Sequence, residues 1–130
     1  MKVRILANSL RFRLKQPEVS HFQRYGKVTE ALEFGPDPAG QLRFVLEISA
    51  GAHLTVGFQS NTTTIGVPRA LAEEWVRTEL VGFDRKIDTG QGRIIEVLVE
   101  KDFRCLDGRA EENEGTYPNP LEDHLSHCAP

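Results

Sequence analysis

Four side chains able to bind a metal ion lie near the C-terminal end of the 130-residue sequence: Cys105, His124, His127 and Cys128. Two thiolates and two imidazoles form a ligand set that zinc accepts. The spacing is unusual, because the sequence has no Cys-x-x-Cys pair and the adjacent His127 and Cys128 reach one ion only if the backbone bends. We therefore weigh a zinc site against a terminal segment whose histidines have no ligand role.

A second kind of chemistry, anion binding, is indicated by arginines that alternate with apolar residues in ANSLRFRL, residues 7–14. A guanidinium group pairs with carboxylates and phosphates through several N–H donors. The candidate anion-binding residues are Arg4, Arg11, Arg13 and Arg43. The alternative is a solvent-exposed strand face on which these arginines pair with acidic neighbours.

The charges on the polar faces of the predicted strands favour that alternative. Six basic and six acidic residues occupy these faces, namely Lys2, Arg4, Arg11, Arg13, Arg43, Lys86, Glu33, Glu47, Asp84, Glu96, Glu100 and Asp102. Balanced charge is typical of a solvated sheet face with cross-strand ion pairs. A nucleic-acid surface would instead carry an excess of basic residues and exposed aromatic rings.

The sequence contains no motif that identifies an enzyme. A Gly-rich phosphate loop, H-E-x-x-H and G-x-S-x-G are all missing. Cys105 has no nearby base in the sequence that would activate it as a nucleophile. The catalytic residues, if the protein is an enzyme, therefore stay unknown.

Composition points to one soluble domain. Apolar residues make up 39% and charged residues 27% of the chain, and the net charge is −3, which disfavours nucleic acid and anionic membranes as partners. No apolar run approaches the ~20 residues of a membrane span, and arginines interrupt the N-terminal segment where a signal peptide would be apolar. We expect a cytoplasmic protein, in which the two cysteines are not a disulfide scaffold.

The hydrophobic pattern predicts an α+β fold of about eight antiparallel strands and two helices, with the order β-β-α-β-β occurring twice. We expect the strands to form a strongly curved sheet or a barrel. The predicted strands cover 2–6, 10–14, 28–34, 42–48, 53–59, 62–67, 80–87 and 93–103, and the helices follow Pro17 and Pro68.

The repeated order predicts an internal duplication. A shift of 53 residues without gaps aligns Asn8 with Asn61, Phe22 with Trp75 and Val28 with Val81, among other matches. The alternative is two unrelated halves that share only the rhythm of amphipathic strands. We expect one domain over residues 1–103, with pseudo-repeats 1–50 and 54–103 and an acidic, extended tail over 104–130.

Read in circular order, the predicted elements resemble the triphosphate tunnel enzymes, which bind polyphosphate and a divalent metal inside an eight-stranded tunnel. That resemblance implies phosphate contacts from Arg11, Arg13 and Arg43, and a divalent metal bound by Glu47, Glu96 and Glu100. The hallmark Glu-x-Glu-x-Lys strand of those enzymes does not occur near the N-terminus of this sequence.

Three segments, KVRILANSLRFRL, VPRALAEEWVRTELVGF and LVEKDFRCLDGR, resemble a family of short bacterial proteins of unknown function. The patterns N-S-x-R-x-R-L and E-K-D-F-x-C-L carry this resemblance, which spans nearly the whole chain. It implies a bacterial cytoplasmic protein and assigns no activity or catalytic residue.

Two classes of function therefore stay open. The first is a non-catalytic binding or assembly module, which could form a homodimer through an exposed strand edge. The second is a metal- or phosphate-dependent site, with zinc or magnesium as the cofactor. A charged lumen between the strands would favour the enzyme, and an apolar interior with charges outside would favour the module.

Overall fold

The computed structural model describes residues 1–103, 115–118 and 120 of the chain. In chain order its elements are β1 (Lys2–Leu6), β2 (Ser9–Leu14), α1 (Gln16–Tyr25), β3 (Lys27–Glu33), β4 (Gln41–Ser49), β5 (Thr55–Gln59), β6 (Thr62–Pro68), α2 (Arg69–Arg77), β7 (Gly82–Asp88) and β8 (Ile94–Lys101), with a short 3-10 helix at Pro38–Gly40. The predicted α+β class, with eight strands and two helices, is confirmed for these residues.

The strands form two four-stranded sheets. The order is β1-β2-β8-β7 in the first sheet and β3-β4-β6-β5 in the second sheet. Each sheet is mixed, because its two hairpins are antiparallel while its central pair, β2 with β8 or β4 with β6, is parallel. A tight turn fixes the direction of hairpin partners only. For the central pairs, which come from different halves of the chain, the antiparallel expectation is wrong.

The two sheets stay separate within the described residues, so the predicted barrel is not confirmed. Each sheet combines one hairpin from the first half of the chain with one from the second half. Ring contacts between Phe12 of β2 and Phe44 of β4, with centroids 6.2 Å apart, join the apolar faces of the two sheets. Most charged residues of the strands lie on the opposite, outer faces, whereas Glu30, Arg85 and Lys101 are in register with residues of the inner faces.

Strand registers repeat through the chain with an offset of 53 residues. Lys2 lies opposite Arg13 in the first sheet, and Thr55 lies opposite Gly66 in the second sheet. The parallel pairs obey the same offset, because Ser9 lies opposite Glu96 and Thr62 lies opposite Arg43.

Strand β7 departs from this offset by two residues. Lys27 of β3 lies opposite Glu47, but the residue opposite Glu100 is Gly82, which is 55 residues after Lys27. The buried Val28 therefore corresponds to the buried Phe83, not to Val81 as the ungapped alignment expects. The β3–β4 connection, residues 34–40, is correspondingly two residues longer than the β7–β8 connection, residues 89–93.

The core lies between the sheets and under both helices. Its largest fully buried side chains are Trp75, Phe12, Phe22, Leu14, Leu46, Ile65, Val67, Val97 and Val99. Trp75 also satisfies its indole N–H by donating to the carbonyl oxygen of Val81 at 3.1 Å. Burial of this apolar surface is the main favourable contribution to folding.

Local sequence explains where helix α1 begins and ends. Glu18 accepts a hydrogen bond from the backbone N–H of Lys15 at 2.9 Å, as part of a capping box, and Pro17 lies in the first turn. Gly26 ends the helix with a φ of 73°, a left-handed conformation that favours glycine.

A short segment from the C-terminal part of the chain packs against the end of the first sheet. The N–H of Gln16 donates to the carbonyl of Gly115 at 2.8 Å, and the N–H of Tyr117 donates to the carbonyl of Asp102 at 2.7 Å. The rings of Phe103 and Tyr117 meet with centroids 5.6 Å apart. Residues 115–117 are therefore attached to the domain.

Among the residues described, no helix combines the length and the apolar character that a membrane crossing needs.

Candidate functional site

Two of the predicted anion-binding arginines lie side by side on the outer face of the first sheet. Nε of Arg11 is 3.0 Å and Nε of Arg13 is 3.9 Å from the same oxygen of Glu100, on the neighbouring strand. These are ion-pair distances without the alignment of a hydrogen bond. Lys2, on the same face, lies 2.9 Å from the buried Asp102. These cations thus have carboxylate partners.

The other two predicted arginines divide between the sheets. Arg4 lies opposite Arg11 in the β1–β2 register, on the same face of the first sheet. Arg43 belongs to β4 of the second sheet, where its Nε donates to the side chain of Gln41 at 3.0 Å. The structure therefore brings Arg4, Arg11 and Arg13 to one face and leaves Arg43 on another sheet.

Of the predicted metal ligands, the structure describes the glutamates but not the cysteines and histidines. Cys105, His124, His127 and Cys128 lie outside the described residues. Of the three carboxylates in the tunnel hypothesis, Glu96 and Glu100 lie on β8 of the first sheet and Glu47 on β4 of the second. Within the described part of the chain, no three His, Cys, Asp or Glu side chains form a cluster suited to a metal ion.

A buried lysine, Lys101, joins strand β8 to the end of helix α2. Its ammonium group donates to the carbonyl of Thr78 at 2.7 Å and lies 5.2 Å from the ring centre of Tyr117. Burial lowers the pKa of Lys101, and the charge of Glu79 partly opposes that change. Burial also raises the pKa of Tyr117. A cation at the C-terminal end of a helix is stabilising, so this contact has a structural role.

Strand β5 offers an unprotected edge. Of the four edge strands that the structure describes, only β5 has neither a charged residue nor a proline, since its sequence is TVGFQ. Its counterpart β1 carries Lys2 and Arg4 where β5 has Thr55 and Gly57. Charges on edge strands are a common protection against pairing with another chain, and β5 lacks this protection.

The backbone of β5 has groups available for pairing. The β5–β6 hairpin turns at Ser60 and Asn61, whose φ values of 52° and 58° indicate a type I′ turn. In such a hairpin the flanking residues, Gln59 and Thr62, exchange hydrogen bonds, and hydrogen-bonded pairs then alternate along the ladder. The N–H and C=O groups of Val56 and Phe58 therefore point away from β6.

Apolar surface accompanies this free edge. Phe58 is 69% exposed. At the opposite edge of the same sheet, Leu32 and Phe34 are also exposed, but strand β3 carries the charged residues Lys27, Glu30 and Glu33. Only the β5 edge combines an exposed ring with an uncharged strand in the described structure.

The sequence of β5 contains the signal that sequence reasoning missed. The strand itself was predicted, but its edge position follows from the sheet order, which the alternating pattern does not define. The absence of a charged residue in β5 becomes informative only when the sheet order shows that β1 and β5 occupy corresponding edges.

Comparison with known protein families gives a match over most of the chain. The profile of a family of unknown function (DUF7009) matches residues 1–121. No curated protein and no solved structure matches the chain.

Proposed function

The chain belongs to this family of unknown function, and we propose that it is a non-catalytic assembly module that pairs with a second copy of itself through strand β5. The uncharged, exposed edge of β5 is the observation that carries the proposal. An apolar interior, with most of the strand charges on the outer faces, supports a binding module over a tunnel enzyme.

The sequence of β5 is complementary to itself. Antiparallel pairing about a two-fold axis at Gly57 sets Val56 opposite Phe58 of the second copy, and Thr55 opposite Gln59 of the second copy. Apolar side chains thus meet apolar ones on one face, and uncharged polar side chains meet on the other. Like charges directly opposite each other destabilise a sheet, and this pairing brings none together.

The backbone groups agree with this register. Val56 and Phe58 direct their N–H and C=O groups outward. Val56 of each copy therefore forms a hydrogen-bonded pair with Phe58 of the other copy. Two such pairs flank Gly57, where the absence of a side chain permits close approach of the strands. The second sheets of the two copies then form one continuous eight-stranded sheet.

The Gly57→Arg variant tests the proposal by giving β5 the charge that β1 has at Arg4. A Cβ atom at position 57 would meet nothing within 4 Å, so the substitution fits the folded chain. The matched control is Thr29→Arg, on the outer face of the opposite edge strand of the same sheet. Sedimentation over a series of concentrations gives the mass of each protein.

We expect the wild type and Thr29→Arg to be dimers and Gly57→Arg to be a monomer. A monomeric wild type would refute the proposal, as would a dimer that persists in Gly57→Arg at the same concentration.

We also propose that residues 1–50 and 54–103 derive from an internal duplication within one domain, followed by a tail over 104–130. The shared registers support it, with the two-residue offset at β7 as a later change. A bacterial, cytoplasmic origin stays a prediction from the sequence.

A further inference from the structure

We propose that a groove beside the first turn of helix α2 binds a small organic anion that also has an apolar part, such as a carboxylate or a phosphate ester. None of the residues that line the groove belongs to β5, so this inference does not depend on the proposed pairing. Its walls are the β4–β5 connection, the start of α2 and strand β7 of the other sheet.

The groove has the size and the floor of a small-molecule site. Its volume is about 440 Å³, within the range of ligand pockets in proteins. Leu54, which is buried, and the partly buried Leu71 and Ile87 line it with apolar surface. An adjoining hollow shares Ala52, Pro68 and Ala70 with it and adds Arg69. An apolar group can therefore lie against the floor while a charged group stays near the rim.

The charged residues around the groove all have one sign. Arg85 lines the groove with His53, and Arg69 lines the adjoining hollow. Lys86 also borders the groove, but it alternates with Arg85 and lies opposite Glu96 on the outer face of the sheet. Among the described residues, no carboxylate lines either space and no ion pair involves these cations. Arg85 donates one Nη1 hydrogen bond to its neighbouring backbone carbonyl, Asp84, at 2.6 Å. Most of its five N–H donors are left for a ligand.

The corresponding place in the first half of the chain carries the opposite charge. By the strand registers, Glu30 corresponds to Arg85, and Met1 corresponds to Leu54. There the buried amino group of Met1 forms ion pairs with Glu18 and with Glu30, the latter at 3.4 Å. A cation of the chain itself thus lies beside carboxylates at this place.

The two places therefore differ in whether the chain itself supplies the group of opposite charge. In the first half, acidic residues contact a cation of the same chain. In the second half, basic residues surround an open groove, and no acidic group of the described residues lines it. Arginine recognises carboxylate and phosphate groups through paired donors, so an external organic anion is the complementary ligand.

Titration of the isotope-labelled full chain with phenyl phosphate, followed by NMR, tests this inference. Phenyl phosphate has both a charged group and an apolar ring, whereas inorganic phosphate lacks the ring and phenol lacks the charge. We expect saturable shifts of the amide signals of Ala52, Ala70 and Ile87, with weaker binding of inorganic phosphate and of phenol. The affinity should fall as salt is added.

Two arginine substitutions and one control make the test specific. Arg85→Ala and Arg69→Ala should each weaken phenyl phosphate binding about tenfold, because each removes charged hydrogen-bond donors. Arg43→Ala, on the second sheet away from the groove, should leave the affinity unchanged. Unshifted signals elsewhere in each spectrum verify that the variants fold.

Three results would overturn the inference. The first is an absence of shifts up to about 10 mM phenyl phosphate, a concentration well above weak millimolar binding. The second is a set of shifts confined to Arg4, Arg11 and Arg13, which would locate the anion site on the first sheet. The third is equal affinity of the wild type and Arg85→Ala. Because Gly57→Arg leaves the groove intact, its binding should equal that of the wild type whether or not the chain forms dimers.

Discussion

The rings of Phe22 and Trp75 meet edge to face, with centroids 5.9 Å apart and planes inclined at 68°. Both side chains are fully buried, and the two residues occupy corresponding positions, 53 residues apart, on α1 and α2. The helices therefore join the halves at the centre of the core.

The first prediction concerns the coupling between these two rings. Phe22→Leu and Trp75→Leu should each be destabilising, and the double variant should reveal a coupling energy of about 0.5–1.5 kcal/mol from the aromatic pair. Urea unfolding of the four proteins measures it.

Tyr25→Leu is the matched control for Phe22→Leu, because Tyr25 is 63% exposed on the same helix. Its change in unfolding free energy should be small. Strictly additive effects of Phe22→Leu and Trp75→Leu would contradict a direct contact between the rings.

A second prediction concerns Glu18, which serves two contacts. One oxygen accepts the hydrogen bond from the N–H of Lys15, and the other forms an ion pair with the amino group of Met1. Glu18→Ala should lower the unfolding free energy by about 1–2 kcal/mol, because it removes the cap and leaves the buried amino group with fewer partners. Thermal or urea unfolding measures the loss.

Glu33→Ala, at an exposed position of β3, is the control and should change the unfolding free energy little. Glu18→Gln should lie between the wild type and Glu18→Ala, since the amide keeps an acceptor but loses the charge. Equal stability of Glu18→Ala and Glu33→Ala would show that neither contact matters.

The third prediction is a pH dependence caused by Lys101. Burial lowers the pKa of Lys101 in the folded chain below its ordinary value of 10.5. The unfolded chain therefore binds more protons between the two values, and the stability of the folded chain rises as pH increases through that window. Lys101→Ile, which copies Ile48 at the corresponding position, removes this dependence.

Unfolding free energies of the wild type and Lys101→Ile, measured from pH 7 to pH 10, test this directly. The unfolding free energy of the wild type should increase relative to that of Lys101→Ile as pH rises. The measurements stop at pH 10.0, the ordinary pKa of tyrosine. Above this pH the raised pKa of Tyr117 makes the stability of the folded chain fall as pH rises, which is opposite to the effect of Lys101. A difference that is constant across the range would contradict a buried, charge-disfavouring site for Lys101.

The fourth prediction concerns the paired charges of the first sheet. Arg11→Thr copies Thr64, the corresponding residue of β6, and should cost less than about 1 kcal/mol because Arg11 and Glu100 are partly exposed. Urea unfolding at low and high salt measures the cost, which should be smaller at high salt.

The same measurement on Arg13→Thr should give a smaller cost, since its Nε lies farther from Glu100 at 3.9 Å. A loss of several kcal/mol for either variant would mean that these arginines support the core and not a solvated face.

Local structure was predictable from the sequence because it depends on neighbouring residues. Alternation predicts the strands, Pro17 and Gly26 bound the first helix, and the turn at Ser60 and Asn61 joins β5 to β6. These features need no information about distant parts of the chain.

Long-range arrangement was not predictable in the same way. Alternation indicates which residues share a face but not which strands are neighbours, so the parallel pairing of β2 with β8 gave no signal. The offset of β7 was hidden because Val81 and Phe83 fit the same alternation. The groove and the adjoining hollow bring together His53, Arg69 and Arg85 from three separate segments, and no spacing in the sequence connects them.

The most direct test of the assembly proposal is amide hydrogen exchange of Val56 and Phe58 at several protein concentrations. Their N–H groups point away from β6, so pairing with a second copy is what protects them. We predict that both amides become protected as the dimer forms and lose this protection in Gly57→Arg, while the amide of residue 57, bonded to β6, stays protected in both proteins. Rapid exchange of Val56 and Phe58 at concentrations where sedimentation gives a dimer would contradict the account.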